Sequence, residues 1–446
     1  MKKYFGTDGI RGKAGEYAMS EEMGMRLGKA MVEFCRQQGK KPKVLIGRDT
    51  RESGALLSQA VVDGISLSGG EAVLAGIIPT PGTAFLTKAG DFSLGLVISA
   101  SHNDCTYNGF KFFNSEGDKL NDKEEEIIEE LIDAHGGQSK GERRYAGARK
   151  MEEALKKYES GLLSALPKNF TLKGLKIVLD CAEGAACEIA PQVFKKIGAE
   201  VIACFNQPDG KNINSNCGSQ FPEKMAEEVL KNKAHLGLAF DGDGDRVIAS
   251  DEKGRILNGD ELIYIFAKML KEKGELGSAV VSTVMSNLGF ANAIKKMGVK
   301  HVYTGVGDQR VFEKMKEIGA VLGGEESGHI IFRNFLSSGD GIFCGLKLAE
   351  AMGYFKKSLS CLGEGIVFYP KILINAKVKS KPELSTVEEI DKVIKEAEEH
   401  FGDNGRVVVR YSGTESLCRI MIEGENENEV KGYSDKIAKV IERELN

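Results

Sequence analysis

The chain has 446 residues, 41% hydrophobic and 28% charged, with a formal net charge of −4. That length suits about three domains of ~150 residues, within a range of two to four. The near-neutral balance gives no reason to expect nucleic acid or an anionic membrane as partner, although local basic groups can still hold a small anion. No apolar run reaches the ~20 residues of a membrane helix, and MKKYFGTDGIRG has no apolar segment after its lysines, so neither a membrane span nor a secretory signal is expected. The nine cysteines are scattered and never spaced CxxC, which speaks against a disulfide framework or zinc knuckle and for a reducing cytoplasm.

From the N-terminus, residues 20–38 place Met23, Leu27, Ala30, Met31 and Phe34 on one helical face, with Ser20 as N-cap. KVLIG (43–47) reads as a buried strand, 53–68 as a helix, EAVLAGI (71–77) as a strand before a PTPG turn, and LGLVISA (94–100) as another. An acidic amphipathic helix is expected over 122–134, and the polar GGQSKGERRYAG after it reads as a linker. The rhythm repeats with LKIVLD (175–180), a helix over 184–197, EVIACF and LGLAF (236–240). A long helix, DELIYIFAKMLKEKG, then precedes AVVSTVMSN, HVYTGVGD and AVLGGEESGH, read as strand-like. The last stretch differs, with strands near 366–378, 406–411 and 418–423 and helices over 384–400 and 427–444. Alternating strands and helices imply mixed sheets covered on both faces. The expected class is therefore α/β: three similar α/β domains, 1–145, 146–252 and 253–366, then a smaller α+β domain, 367–446.

The unusual polar clusters stand where strands end, which is where open α/β sheets bind ligands. In VISASHND (97–104), an apolar run ends in two serines, a histidine, an asparagine and an aspartate, which is either a reacting site or a polar turn. Ser99 and Ser101 share a face of an extended strand, so position does not choose between them. DGDGDR (241–246) sets Asp241, Asp243 and Asp245 at alternate positions between glycines, a pattern that can turn three carboxylates around one hard cation. A calcium EF-hand fails because Arg246 stands where that loop needs glycine.

GGEESGH (323–329) places Glu325, Ser327 and His329 at alternate positions, so an extended segment would present all three to a sugar's hydroxyls. RYSGTESLCR (410–419) offers Arg410, Ser412, Gly413, Thr414 and Arg419, the guanidinium, hydroxyl and backbone donors that a phosphate monoester needs, without a Walker P-loop pattern. GTDGIRG (6–12) and NGFK (108–111) add Arg11 and Lys111.

Taken together, YFGTDGIRG, GRDTRESG, ISASHN, NGFKFF, DGDGDR, VMSNLGF, VGD, GEESGHIIF and RYSGTE resemble the alpha-D-phosphohexomutases, and among them most closely the bacterial phosphoglucosamine mutases, over essentially the whole chain. The resemblance implies four domains around a central active-site cleft, and a serine that carries a phosphoryl group. That serine would be Ser101, beside His102. One Mg2+ ion would be held by Asp241, Asp243, Asp245 and the phosphoserine, with Arg11, Lys111, His102 and Arg246 among the catalytic residues. Glu325, Ser327 and His329 would hold the sugar, and Arg410, Ser412, Gly413, Thr414 and Arg419 the phosphate not being transferred.

The implied reaction interconverts glucosamine 6-phosphate and glucosamine 1-phosphate through a 1,6-bisphosphate, as intermediate or activator, and feeds amino-sugar nucleotide and cell-wall precursor synthesis. Phosphomannomutase/phosphoglucomutase activity is the alternative. Lys111 is the candidate general base, and the sequence leaves the oligomeric state open, a homodimer included. Three positions depart from the family pattern: Asp104 and Ser416 stand where proline is usual, and Glu326 where the phosphoglucosamine mutases usually carry glutamine.

Overall fold

The structure, a computed structural model, describes residues 3–6, 8–136, 147–412 and 416–446, apart from the Asp403 side chain. It divides into two compact units, Met1–Met285 with Val299–Glu364, and Ser286–Gly298 with Gly365–Asn446.

The first unit contains three sheets. The first is formed by β1 (Ile10–Lys13), β2 (Lys43–Arg48), β3 (Glu71–Ile77), β4 (Leu94–Ile98), β5 (Tyr107–Asn114) and β6 (Arg149–Lys150), in the order β1-β5-β4-β2-β3-β6. β2 runs parallel to β3 and β4, and β5 runs antiparallel to both β4 and β1. The central strands are apolar on both faces because helices cover both. Those helices are α1 (Glu21–Gln37), α2 (Glu52–Leu67), α3 (Thr80–Ala89) and α4 (Asp122–Ala134). The Ser20 side chain caps α1 by accepting from the Met23 backbone N–H at 3.2 Å, as expected. Met23, Leu27 and Met31 of α1 join Val61, Ile65 and Leu96 in one core, each burial contributing roughly 1.5–3 kcal/mol. The strand expected over 94–100 ends at Ile98, since the chain turns through a left-handed Ser101 (φ 52°).

The second sheet has β7 (Lys176–Asp180), β8 (Glu200–Cys204), β9 (Leu236–Phe240), β10 (Val247–Asp251) and β11 (Ile256–Leu257), in the order β11-β10-β9-β7-β8. β9 and β10 pair antiparallel with Phe240 opposite Val247, so DGDGDR is the loop of a hairpin. Helices α5 (Ala154–Ser164), α6 (Ala186–Lys196) and α7 (Glu223–Asn232) accompany it.

The third sheet joins β12 (Val280–Thr283), β13 (His301–Thr304), β14 (Leu322–Gly324) and β15 (Ile330–Phe332), in the order β13-β12-β14-β15. Around this part of the chain lie α8 (Gly259–Glu272), α9 (Leu288–Lys296), α10 (Asp308–Ile318), α11 (Gly341–Phe355) and the short α12 (Leu359–Leu362). The extended readings of HVYTGVGD and AVLGGEESGH were too long: β13 stops at Thr304, α10 starts at Asp308, and a turn follows β14. α9 belongs to the second unit, where the Asn287 side chain both donates to and accepts from the Tyr369 backbone at 3.0 Å.

That second unit is an antiparallel sheet of β16 (Lys371–Lys377), β17 (Gly405–Tyr411) and β18 (Leu417–Gly424), ordered β16-β18-β17, with α13 (Glu388–Phe401) and α14 (Glu427–Leu445). Its core gathers Ile420, Ile422, Ile390, Phe401, Ile437 and Ile441. The class is the one the sequence implied, mixed α/β sheets followed by a smaller α+β part. Among the described residues, no helix is long and apolar enough to cross a membrane.

Candidate active site

The β9–β10 hairpin loop brings Asp241, Asp243 and Asp245 together, all buried, with one carboxylate oxygen of each within 4.8 Å of the others. Three buried like charges repel unless something positive sits among them. Part of that charge comes from Lys111 on β5, whose Nζ donates to Asp243 Oδ2 at 2.8 Å and to Asp245 Oδ2 at 3.1 Å. Asp243 Oδ1 and Asp245 Oδ1 are buried without a hydrogen-bond partner among the described residues. Burial first, then Asp245 and Asp243, push the Asp241 carboxyl well above the usual range. An all-oxygen donor set with orphaned carboxylate oxygens suits a hard divalent cation such as Mg2+.

Ser101 completes this cluster. It is fully buried at the end of β4, and its hydroxyl donates to Asp241 Oδ2 at 2.7 Å. Ser99, which shared a face with it on an extended strand, is engaged elsewhere: its hydroxyl donates to Asp49 Oδ2 at 2.6 Å and accepts from the Ser101 backbone N–H at 2.9 Å. The left-handed turn therefore separates two serines that the strand pattern left equivalent. His102 Nδ1 lies 3.4 Å from Ser101 Oγ and 3.2 Å from Arg246 Nη1. Because a guanidinium only donates, Nδ1 is the acceptor and the ring carries its proton on Nε2. Burial, Arg246 and Arg11 lower the His102 pKa to about 4, so the ring is neutral at pH 7. Arg246 also donates its backbone N–H to Asp241 Oδ1 at 3.1 Å. Asp104, where proline is usual, closes a local turn by accepting from the Thr106 N–H at 2.8 Å.

Arg11 on β1 pairs with Asp8 and donates to Asn103 Oδ1 at 3.4 Å. Asp8 is a hub, also 3.1 Å from Lys111 and 2.5 Å from Lys119. Lys119 in turn pairs with Asp308 at the start of α10. Burial works to lower the Lys111 pKa, but Asp243, Asp245 and Asp8 outweigh it and raise it well above the usual value. In the cation-free protein these pairings hold Lys111 as an ammonium.

The sugar-loop expectation changes in one respect. Residues 326–328 form a turn between β14 and β15, closed by the Gly328 N–H donating to the Glu325 carbonyl at 3.0 Å, with Gly328 at φ 90°. Glu325 and Ser327 stay partly exposed, whereas His329 is buried, accepts from the Gly339 N–H at Nε2 (2.9 Å) and turns Nδ1 toward Asp245 Oδ1 at 3.6 Å. His329 therefore backs a carboxylate of the triad and does not share one extended face with the other two.

In the second unit, Arg410 of β17 stands directly opposite Arg419 of β18, which puts two guanidinium side chains on one face of the ladder. The Ser412 N–H donates to the Leu417 carbonyl at 2.9 Å, and its own carbonyl accepts from Lys381 Nζ at 2.6 Å. Gly413 and Thr414 lie outside the described residues.

Comparison with known proteins decides the family. Models of the phosphoglucomutase/phosphomannomutase family match in sequence order: alpha/beta/alpha domain I at residues 2–138, domain II at 156–254, domain III at 258–367 and the C-terminal domain at 373–440. A phosphoglucosamine mutase of Syntrophus aciditrophicus is 46% identical over 448 residues, covering 100% of both chains. The chain belongs to this family. A phosphoglucosamine mutase of Syntrophobacter fumaroxidans is 43% identical, covering 99% of each chain. Among solved structures, a phosphoglucomutase/phosphomannomutase family protein of Burkholderia thailandensis has the same fold, with a TM-score of 0.82 at 24% identity over 99% of this chain and 98% of that one. An Aspergillus fumigatus N-acetylphosphoglucosamine mutase in complex with GlcNAc-6P and magnesium also shares it, with a TM-score of 0.69 at 16% identity over 100% and 96%.

Several groups of this site went unremarked in the sequence. Asp8 and Lys119 tie the basic residues together, and Thr80, read as part of a turn, starts α3 and donates its hydroxyl to Asp243 Oδ2 at 2.5 Å. Asp49 and Arg51, both in GRDTRESG, form a fully buried ion pair at 2.8 Å beneath the serine loop. A charge at the end of a buried strand, as with LIGRD, was the available signal for the last two.

Proposed function

We propose that the chain is a phosphoglucosamine mutase, an isomerase that moves a phosphoryl group between O6 and O1 of glucosamine through phospho-Ser101 and glucosamine 1,6-bisphosphate. The observation that carries this reading is Ser101 Oγ at 2.7 Å from Asp241 in the buried carboxylate cluster, in a chain whose full length aligns with phosphoglucosamine mutases. Asp241, Asp243, Asp245 and a Ser101 phosphate oxygen would hold one Mg2+ ion, and when bound it supplies positive charge to the phosphoryl oxygens.

Lys111 against Asp243 and Asp245, Arg11 against Asn103 and Arg246 against His102 would supply the positive charge for the phosphoryl group on Ser101, the main protein contribution to phosphoryl transfer. Neutral His102 adds no charge, and its Nδ1 accepts from Arg246 and so orients that guanidinium. Glu325 and Ser327 bind sugar hydroxyls, and His329 steadies Asp245. Arg410, Ser412 and Arg419 form a phosphate-binding loop, with Gly413 and Thr414 between them in sequence. The partners are hexosamine phosphates and not nucleic acid, the compartment is the cytoplasm, and the domains divide at 145, 252 and 366.

The test is a comparison of kcat/KM for glucosamine 6-phosphate, glucose 6-phosphate and mannose 6-phosphate. Glucosamine 6-phosphate should be preferred over glucose 6-phosphate by at least ~10-fold, or ~1.4 kcal/mol in transition-state binding. Equal specificity constants would favour phosphomannomutase/phosphoglucomutase activity instead.

A further inference from the structure

Arg51 is fully buried, and every donor of its guanidinium is taken. Nε donates to Asp49 Oδ2 at 2.8 Å. Nη1 donates to the Tyr107 carbonyl at 2.9 Å and to the Asp104 carbonyl, and Nη2 to the carbonyls of Ser101 at 3.0 Å and Asn103 at 2.8 Å. Four of the five N–H groups thus grip the backbone of a single loop, residues 101–107. The Asn214 side chain reaches the same loop and donates to the Ser101 and Asn103 carbonyls, each at 2.8 Å. From the other side, Asp49 accepts from Ser99 Oγ, which accepts from the Ser101 N–H. Both the N–H and the C=O of Ser101 are therefore tied, directly or through one hydroxyl, to the Asp49–Arg51 pair.

What this grip holds is a left-handed serine, φ 52°, a conformation disfavoured for any residue with a Cβ. Strained backbone persists only where its surroundings over-determine it. The turn is also what sends Ser101 Oγ to Asp241 and Ser99 Oγ to Asp49. Resting on the proposed role of Ser101, we propose that Arg51 is the positioning residue of the phosphoryl-carrying serine, with Asn214 as its second clamp, and that neither touches the substrate. Arg51 acts through geometry: its planar fork reaches four carbonyls at once, and a lysine, with three donors on one atom, cannot. Losing the fork lets the Ser101 backbone relax and Oγ move away from the carboxylate cluster, slowing phosphoryl transfer while leaving sugar-phosphate binding in place.

The experiment uses full-length protein carrying Arg51→Lys, Asn214→Ala, or both, beside Ser101→Ala. Folding is checked by circular-dichroism melts, and phosphate per chain is counted by intact mass. Single-turnover transfer from phosphoenzyme to glucosamine 6-phosphate is then timed, and steady-state KM is measured. Each single variant should slow transfer at least ~10-fold with KM within ~2-fold of the parent. The double variant should lose less than the product of the two, because both changes release the same turn. Parental transfer rates in folded variants would overturn the proposal, as would losses that only track the fraction unfolded. If Arg51→Lys fails to fold, Asn214→Ala decides alone by the same criteria. Phosphate on Ser101→Ala would instead defeat the assignment of Ser101, whereas an unlabelled Ser101→Ala beside parental rates in the clamp variants would defeat only this inference.

Discussion

Without a cation, Asp241 sits buried beside Asp245 and Asp243, and its carboxyl is pushed well above the usual range. Mg2+ needs that carboxylate ionised, so binding should release a proton and tighten as pH rises until the carboxyl of the free protein has ionised. Calorimetry in two buffers of different ionisation enthalpy reads this directly. Weaker binding and growing proton release as pH falls are expected, and pH-independent binding without proton release would contradict the argument. The same shift has a second sign. A carboxyl whose folded-state pKa is raised keeps a proton that the unfolded chain loses above roughly pH 4, so Asp241 contributes less to cation-free stability as pH rises from there. Lys111 opposes this cost by pairing with Asp243, Asp245 and Asp8. Lys111→Met would leave these carboxylates short of a buried counter-charge and should destabilise the cation-free protein by about 3–5 kcal/mol, partly recovered by saturating Mg2+. Denaturant melts with and without Mg2+ measure it, and a loss below ~1 kcal/mol would mean that the cluster is relieved some other way.

At the scale of elements, α8 is built against the loop proposed to bind the sugar. The Gly259 N–H donates to the Glu326 carbonyl at 2.9 Å, and a Cβ at Gly259 would lie 2.0 Å from the Glu325 carbonyl oxygen and 2.8 Å from the Gly328 nitrogen. Backbone cannot swing aside as a side-chain tip can, so Gly259→Ala must move the turn that carries Glu325 and Ser327. A fall of about 10-fold in kcat/KM, ~1.4 kcal/mol, is expected from steady-state kinetics. Gly353→Ala is the contrast: a Cβ meets nothing within 4 Å in α11, so activity should stay and stability should rise by roughly 0.5–1 kcal/mol. Unchanged kinetics in Gly259→Ala would show the loop more compliant than its packing implies. Much of this level was legible beforehand. Strands such as LGLAF and EAVLAGI, and the helix over 122–134, follow from apolar periodicity, and the polar clusters at strand ends follow from the sheet type. His329 was misread because alternation assumes an extended chain, and Gly328 at φ 90° ends that assumption. α3 was hidden because PTPG resembles a turn, although proline is at home in a helix's first turn. Arg51, Asp8 and Lys119 were missed because a charged residue is usually solvated, and burial of a single charge leaves no periodic trace.

For the whole molecule, two units with separate cores make a single melting temperature an incomplete description. Calorimetry should resolve more than one transition, and Mg2+ should raise the one belonging to the unit that holds Asp241, Asp243 and Asp245, by about 2.7 kcal/mol at 100 times the dissociation constant. A single transition raised as a whole would show the chain melting as one cooperative body. Everything proposed for function converges on one atom, Ser101 Oγ, at Asp241 within a full-length phosphohexomutase fold. The direct measurement is intact mass of the parent, Ser99→Ala and Ser101→Ala proteins after incubation with glucosamine 1,6-bisphosphate and Mg2+. One phosphate per chain on the parent and on Ser99→Ala, and none on Ser101→Ala, is the predicted result. Phosphate retained on Ser101→Ala would contradict it.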